Sequence, residues 1–243
     1  MHAKGYHDLG TPAPRDTTAS VTVRIDGRPV TVPAGTSVMR AAGLAGCDVP
    51  KLCATDTLAH FGSCRLCLVE IDGRRGFPAS CTTPVAEGME VRTESAALAS
   101  LRRSVLELYV SEHPLDCASC PANTHCELQD VAARLGVSTS RYTPDAQPPA
   151  AAVNTSHPYF QFDPNLCVVC SRCVRACDEI QGTFALTIAG RGHASRVVAS
   201  QDEPFVHSEC VSCGQCVESC PTGALLERSV VARGVGERAV TTT

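Results

Sequence analysis

Eight cysteines of this chain fall into two runs of one form, Cys167-x2-Cys170-x2-Cys173-x3-Cys177 and Cys210-x2-Cys213-x2-Cys216-x3-Cys220, the second closed by Pro221. A thiolate is a soft, anionic ligand, and three of them at this short, even interval suit three corners of one cubane [4Fe-4S] cluster. Zinc is the competing occupant, since Cys-x2-Cys pairs also build tetrahedral sites. A zinc ribbon uses two separated pairs, however, and has no need of a third cysteine at the same interval followed by Cys-x3-Cys. The runs therefore predict iron–sulfur binding and, with it, one-electron transfer.

Their spacing is that of bacterial two-cluster ferredoxins, in which the fourth cysteine of each run reaches the other cluster. The ligand sets expected on that pattern are Cys167, Cys170, Cys173 and Cys220 for one [4Fe-4S] cluster, and Cys177, Cys210, Cys213 and Cys216 for the other. The stretch from Asp178 to Glu209 is longer than such a ferredoxin requires. Within it, Phe184 to Ile188 and Arg196 to Ala199 read as the strands of an inserted hairpin.

A third group reads His113-x3-Cys117-x2-Cys120-x5-Cys126. Three cysteines leave one iron of a cubane without a protein ligand, and an imidazole nitrogen is an acceptable fourth, as in Rieske centres. Two histidines lie close by. His125 adjoins Cys126, and adjacent side chains do not readily converge on different corners of one cluster, so His113 is the expected ligand. A histidine at a helix end is often only a capping or solvated residue; the cysteine deficit beside it is what points to ligation. Leu98, Leu101, Val105 and Leu108 recur at helical spacing between Ser95 and Glu112, and Pro114 should end that helix, which delivers His113.

From Val21 the alternation of apolar and polar residues around Asp26-Gly27-Arg28-Pro29 predicts a β-hairpin, and a short helix is expected over Thr36 to Leu44. Cys53-x10-Cys64-x2-Cys67 follows, then an alternating run from Leu66 to Ile71, a turn at Asp72-Gly73, and Cys81. This order resembles the β-grasp fold of plant-type [2Fe-2S] ferredoxins, although the first cysteine gap is wider here than in their Cys-x4-Cys-x2-Cys pattern. The wide gap is similar to that of the [2Fe-2S] domain at the front of complex I's large iron–sulfur subunit. The resemblance implies Cys53, Cys64, Cys67 and Cys81 as ligands of one [2Fe-2S] cluster, with zinc again the alternative. Cys47 is left over and is expected to be a small, buried apolar side chain.

Sixteen cysteines in 243 residues mean disulfides in an oxidising compartment and metal ligands in a reducing one. The start of the chain has no signal-peptide core, and no stretch approaches the roughly 20 apolar residues of a membrane span. A cytoplasmic chain without direct membrane insertion is expected, its thiols serving metal. The formal charge of -4 and pI near 6.0 give no basic patch, so no nucleic-acid partner is expected. Aromatic residues make up 4% and Trp is absent. Small domains built from this composition have thin cores, and clusters bound only by the folded state add to their stability.

A [2Fe-2S] domain, a one-histidine, three-cysteine cluster and paired [4Fe-4S] clusters, in this order, resemble the amino-terminal part of the alpha subunit of NAD-dependent, molybdenum- or tungsten-containing formate dehydrogenases. The segments LCATDTLAHFGSCRLCLVEIDGRRGFPASCTTPVAEGM, HPLDCASCPANTHCELQD and CVVCSRCVRACDEIQGTFALTIAGRG carry that likeness. Complex I's large iron–sulfur subunit and the small diaphorase subunit of NAD-reducing hydrogenases share the layout. The fold class implied is α+β. It comprises a polar N-terminal tail (1–18), a β-grasp [2Fe-2S] ferredoxin domain (19–95), a small helical [4Fe-4S] domain with one His and three Cys ligands (96–140), a Pro- and Ala-rich linker (141–156), a bacterial-type 2[4Fe-4S] ferredoxin-like domain (157–228) and a C-terminal tail (229–243). The cofactors implied are one [2Fe-2S] and three [4Fe-4S] clusters. In that family the chain runs on into a molybdopterin domain, whereas here it stops at Thr243. A fragment, a split gene with a separate catalytic subunit, or a hydrogenase-diaphorase-like subunit would each give this arrangement.

Electron relay is then the expected role, between a catalytic centre (formate oxidation foremost, or a hydrogenase) and a flavin/NAD-binding diaphorase subunit. No Gly-x-Gly-x-x-Gly follows a strand and no nucleophile–base pair is evident, so nucleotide and flavin belong on a partner chain and no catalytic residue is expected in this one. A free-standing polyferredoxin and a zinc-binding structural module are the competing roles. Arg65, Arg172 and Arg175, interleaved with the cysteines, are either surface cations or partial neutralisers of cluster charge. On these assignments Cys64→Ser removes or disturbs the [2Fe-2S] signal in electron paramagnetic resonance, while Cys47→Ser leaves iron content and spectra unchanged. Loss of a cluster from the Cys47→Ser chain would demand a different ligand set.

Overall fold

Asp26 and Gly27 take φ of 49° and 78°, the pair of left-handed residues that closes a two-residue hairpin with the twist its strands require. In the computed structural model, which describes residues 8–15, 18–142 and 151–233, this turn joins β1 (Ser20–Ile25) to β2 (Arg28–Pro33) in antiparallel register. Strands β3 (Glu70–Ile71) and β4 (Glu90–Arg92) complete a sheet of order β2-β1-β4-β3, with β4 parallel to β1 and antiparallel to β3. Val23 and Ile25 of β1 are fully buried, and helix α1 (Val38–Leu44) lays Val38, Met39, Ala41 and Ala42 into the same core. The helix begins after Ser37, whose hydroxyl accepts the Arg40 N–H and so caps it; the sequence pattern had placed the start at Thr36.

By internal contacts the chain divides into a first unit of Met1–Glu107 with Arg134–Val137, and a second of Leu108–Ala133 with Ser138–Thr243. In the first unit the run from Leu66 to Ile71 forms less strand than its sequence suggests. Leu66, Cys67, Leu68 and Val69 are all buried, so the segment wraps around a site instead of alternating between two faces, and pairing is confined to Glu70–Ile71 and a lone bridge from Leu68 to Ala79. The expected N-terminal tail is also corrected where it is described. Asp8 accepts the N–H groups of Gly10 and Asp56 and pairs with Lys51, and Thr11, 1% exposed, shares a hydrogen bond with Ser37. Burial pulls the Asp8 pKa up, but Lys51 and the two N–H groups outweigh it and hold the carboxylate below its usual range. Residues 1–7 and 16–17 lie outside the described residues.

Helix α2 (Ala96–Ser111) turns a different face inward from the one its leucines mark. Leu98, Arg102 and Leu106 are buried, whereas Leu101 and Val105 are half-buried and Leu108 is exposed. The reason is Arg102. Its Nη2 donates to the carbonyls of Leu68 and Thr93 at 2.6 and 2.8 Å, and Nη1 approaches Glu94 at 3.4 Å, so a buried cation anchors the helix to the chain just after Cys67.

In the second unit, β5 (Phe160–Phe162) pairs antiparallel with β8 (Leu225–Glu227), and β6 (Leu186–Ala189) with β7 (Arg196–Ala199). Helix α3 (Glu127–Leu135) starts beside Cys126, and the short helices α4 (Arg172–Arg175) and α5 (Gln215–Glu218) each follow the second cysteine of a run and contain the third. Phe160, Phe162, Phe205, Leu186, Val197 and Leu225 form a core that also contains Cys173, Cys177 and Cys216. The inserted hairpin is β6–β7, but its first strand starts at Leu186: Phe184 has φ of 54° and is 67% exposed. Of the expected linker, 143–150 lie outside the described residues, while Ala151 is bonded to Asn165 and Asn154 exchanges backbone hydrogen bonds with Phe162. The expected boundary at 228 falls at the start of α6 (Arg228–Arg233), and 234–243 are outside the described residues. Among the described residues no helix is long and apolar enough to cross a membrane.

Replacing Arg102 by Met would leave the Leu68 and Thr93 carbonyls buried without a donor. At about 1–3 kcal/mol for each group, Arg102→Met should cost about 2–6 kcal/mol, and exposed Arg103→Met less than about 0.5 kcal/mol. Denaturant unfolding of the anaerobic protein measures both; equal small costs would show that Arg102 anchors nothing.

Candidate iron–sulfur sites

In the first unit Cys53, Cys64, Cys67 and Cys81 are each at most 1% exposed. The Cys64 N–H donates to Cys53 Sγ at 3.4 Å, and the Cys67 and Cys81 sulfurs lie 3.5 Å apart. Arg65 stands between two of them with φ of 56°, its side chain exposed while Cys64 and Leu66 on either side are buried. Bonding within each close pair splits its thiols: the contact with Cys64 lowers Cys53 to about 5 and that with Cys81 lowers Cys67 to about 7, while the same contacts, with burial, raise Cys64 and Cys81. Cys47 has a different partner. Its thiol donates to Asp26 in the hairpin turn, and burial, with that carboxylate, raises its pKa.

In the second unit His113 follows the end of α2. Its Nδ1 is buried and has no hydrogen-bond partner among the described residues, and burial lowers its pKa against the opposing effect of Asp163. A neutral imidazole with an unclaimed buried nitrogen is the form in which histidine binds metal. His125 is exposed. Burial pushes Cys126 up to about 11, although the Gln129 and Leu128 N–H groups at the start of α3 donate to it, and Cys120 and Cys117 act on it electrostatically.

The two long runs surround space. Cys167, Cys170, Cys173 and Cys220 line one small cavity with Phe162 and Leu225, and Cys177, Cys210, Cys213 and Cys216 line another with Phe160 and Phe205. The fourth cysteine of each run thus sits in the other run's cavity. Among the described residues no three His, Cys, Asp or Glu side chains close on a point as they would around a single ion. Backbone winding repeats as well. Val169 (50°) and Ser171 (64°) flank Cys170 with positive φ, and Ser212 (60°) and Gly214 (78°) flank Cys213.

Such winding turns successive N–H groups into a concavity suited to an anion. The Val169 N–H reaches Cys167 Sγ at 3.4 Å, and those of Arg172, Ser212 and Val217 reach Cys170, Cys210 and Cys216. Burial nevertheless prevails, pushing Cys167 up to about 11 and Cys170 and Cys216 up to about 12. A cation entering these cavities would have to displace thiol protons, and their soft donor set fits iron–sulfur clusters.

Three residues of these surroundings escaped the sequence reading of the ligands. His157 is 3% exposed and stacks on Phe160 at 3.8 Å; its Nδ1 accepts the Tyr159 N–H, which leaves Nε2 to donate to Ser212 Oγ at 3.0 Å in the Cys210–Cys213 loop. Its aromatic neighbours in sequence were the available signal. Arg102 was marked by its phase with Leu98 and Leu106. Glu127, next to Cys126, pairs with Arg172, which is accordingly no surface cation; Arg65 is exposed and Arg175 half-buried.

Three family descriptions match the chain in succession: "2Fe-2S iron-sulfur cluster binding domain" over residues 18–96, "NADH-ubiquinone oxidoreductase-G iron-sulfur binding region" over 102–141, and "NADH-quinone oxidoreductase subunit 3, ferredoxin-like domain" over 157–226. The fold is therefore α+β, a [2Fe-2S] domain, a [4Fe-4S] region and a ferredoxin-like domain. The chain is 36% identical over 214 residues to the NADPH-Fe(3+) oxidoreductase subunit alpha of Geobacter sulfurreducens, covering 88% of this chain and 25% of that protein. It is 36% identical over 216 residues to the NADP-reducing hydrogenase subunit HndD of Solidesulfovibrio fructosivorans, covering 87% and 37%. It thus spans between a quarter and two-fifths of these curated relatives. A chain in the crystal structure of NAD+-reducing [NiFe]-hydrogenase in the H2-reduced state is similar with a TM-score of 0.81 and 35% identity, over 90% of this chain and 91% of that one.

One [4Fe-4S] centre should depend on His113 and be indifferent to His125. His113→Ala weakens or loses it, His125→Ala leaves it intact, and His113→Cys keeps it at a lower midpoint potential, because thiolate adds a negative charge where imidazole adds none. Redox-titrated paramagnetic resonance reads all three, and the reverse pattern would hand the role to His125.

Proposed function

Because the chain belongs to the iron–sulfur family shared by the N-terminal region of NADH-quinone oxidoreductase G and the NADP-reducing hydrogenase subunit HndD, we propose that it is the electron-relay component of a multi-subunit, NAD-linked oxidoreductase. It passes electrons between a flavin/NAD-binding partner and a separate catalytic centre. The observation that carries this reading is the pair of thiol-lined cavities in the second unit, whose cysteines Cys173, Cys177 and Cys216 share one apolar core. Adjacent redox centres embedded in one rigid core suit rapid exchange between them.

In this reading one [2Fe-2S] cluster is held by Cys53, Cys64, Cys67 and Cys81. Three [4Fe-4S] clusters are held by His113 with Cys117, Cys120 and Cys126, by Cys167, Cys170, Cys173 and Cys220, and by Cys177, Cys210, Cys213 and Cys216. Clusters bound there supply one-electron transfer; the chain's own residues exclude water, fix spacing and donate N–H groups that make sulfur a better home for an electron. Of the cysteines, all sixteen of which lie among the described residues, Cys213 alone is exposed, so its site is the natural contact with a redox partner. The likeness to a chain of NAD+-reducing [NiFe]-hydrogenase, at 35% identity and a TM-score of 0.81, supports a hydrogenase-type enzyme; formate dehydrogenase is the second reading, on the three cysteine segments that resemble it.

Anaerobically purified protein should be brown and carry about fourteen irons per chain with matching sulfide. NADH alone should leave it oxidised, and NADH with the co-purifying flavoprotein should reduce it. Hydrogen or formate supplied to the native complex identifies the catalytic partner by which one reduces the clusters. Zinc as the dominant metal, or reduction by NADH without any partner, would defeat the relay reading.

A further inference from the structure

Arg172 lies between Cys170 and Cys173, and its side chain is 3% exposed. Its Nη1 and Nη2 donate to Glu127 Oε1 and Oε2 at 2.6 and 2.8 Å, the two-pronged geometry that makes an arginine–carboxylate pair both strong and directional. Glu127 is the residue after Cys126, and its own N–H donates at 2.8 Å to the carbonyl of Pro221, the residue after Cys220. Packing adds a third tie. A Cβ on Gly223 would stand 2.8 Å from Ala122 Cβ and 3.5 Å from Cys120 Sγ, so the backbone beyond Cys220 runs directly against the Cys117–Cys126 loop. Side chain, backbone and packing together clamp the group of His113, Cys117, Cys120 and Cys126 to the cavity of Cys167, Cys170, Cys173 and Cys220.

We propose that Arg172 and Glu127 are a positioning pair that holds these two centres together and balances their potentials. This rests on iron–sulfur clusters occupying both groups. A cation favours the negative charge that a cluster gains on reduction, and a carboxylate opposes it. While paired the two charges largely cancel, and with Arg172 buried and Glu127 31% exposed water screens them less than it would at the surface. Removing the charge of one member therefore changes the net charge that both centres feel by one unit. Glu127→Gln leaves the cation and makes the centres easier to reduce; Arg172→Gln leaves the carboxylate and makes them harder to reduce. A pair with an architectural role alone has no reason to give opposite signs.

The test is a redox titration of the anaerobic full chain by paramagnetic resonance, with iron and sulfide counted in each variant. Native protein lacking two such [4Fe-4S] signals would overturn the cluster reading, and the pair with it. With both signals present, the midpoints should rise in Glu127→Gln, fall in Arg172→Gln and return close to native in the double variant. Arg172→Lys, which keeps the charge, should stay near native; if Arg172→Gln fails to retain its clusters, a rise in Glu127→Gln with no change in Arg172→Lys supports the pair. Shifts of the same sign in both single variants, or unchanged midpoints with all clusters retained, would overturn it.

Discussion

Sulfur withdrawn from water has to be neutralised, and in this chain that requirement reaches into the hydrophobic core itself. Cys53, Cys64, Cys67 and Cys81 are as buried as any leucine around them, and Cys173, Cys177 and Cys216 take core positions beside phenylalanines. Burial raises the thiol pKa of Cys173 and Cys216, so their cavities resist forming thiolates unless a cation arrives to replace the protons, whereas in the first unit thiol-to-thiol hydrogen bonds lower Cys53 and Cys67. The aromatic-poor composition then becomes intelligible. The two cysteine-lined cavities are small gaps in the packing, and in the proposed holoprotein their contents belong to the packing as much as to the chemistry.

Placement of positive charge follows from the same constraint, by two different routes. Arg102 brings its cation under the Cys67 loop and spends its donors mainly on the carbonyls of Leu68 and Thr93, which fixes the backbone that carries the ligand. Arg172 instead meets a carboxylate head-on. The first arrangement leaves a cation near its thiols that Glu94, 63% exposed, only partly offsets; the second leaves nearly no net charge. His157 achieves a comparable purpose without charge, by gripping Ser212 from a neutral, stacked ring.

Local spacing made much of this legible in the sequence. The hairpin turn at Asp26-Gly27, the strand Arg196–Ala199 and the helix running up to His113 are each dictated by residues close in the chain, and the structure forms them there. What the sequence concealed depends on partners chosen by tertiary packing. Leucines at helical spacing suggested a face through Leu101 and Leu108, yet the helix turned to satisfy Arg102, because a buried guanidinium without acceptors costs more than an exposed leucine. The strand expected from Leu66 shrank because both of its sides are covered, which erases the alternation on which strand recognition depends. Asp8 looked like part of a polar tail until the N–H of Asp56, far along the chain, supplied its purpose. Glu127 was visible beside Cys126, but nothing local tied it to Arg172.

Exposure of Cys213 carries a liability as well as a use. A sulfur open enough to let an electron cross to a docked protein is open to dioxygen and peroxide, which oxidise accessible thiolates stepwise to sulfenic and then to irreversible acids. Damage would begin at the site with the thinnest cover, and the inward-facing centres would outlast it. If that site is the contact with a redox partner, it is also the one that would set how much air the protein tolerates, and a partner seated over Cys213 would act as a shield as much as a conductor.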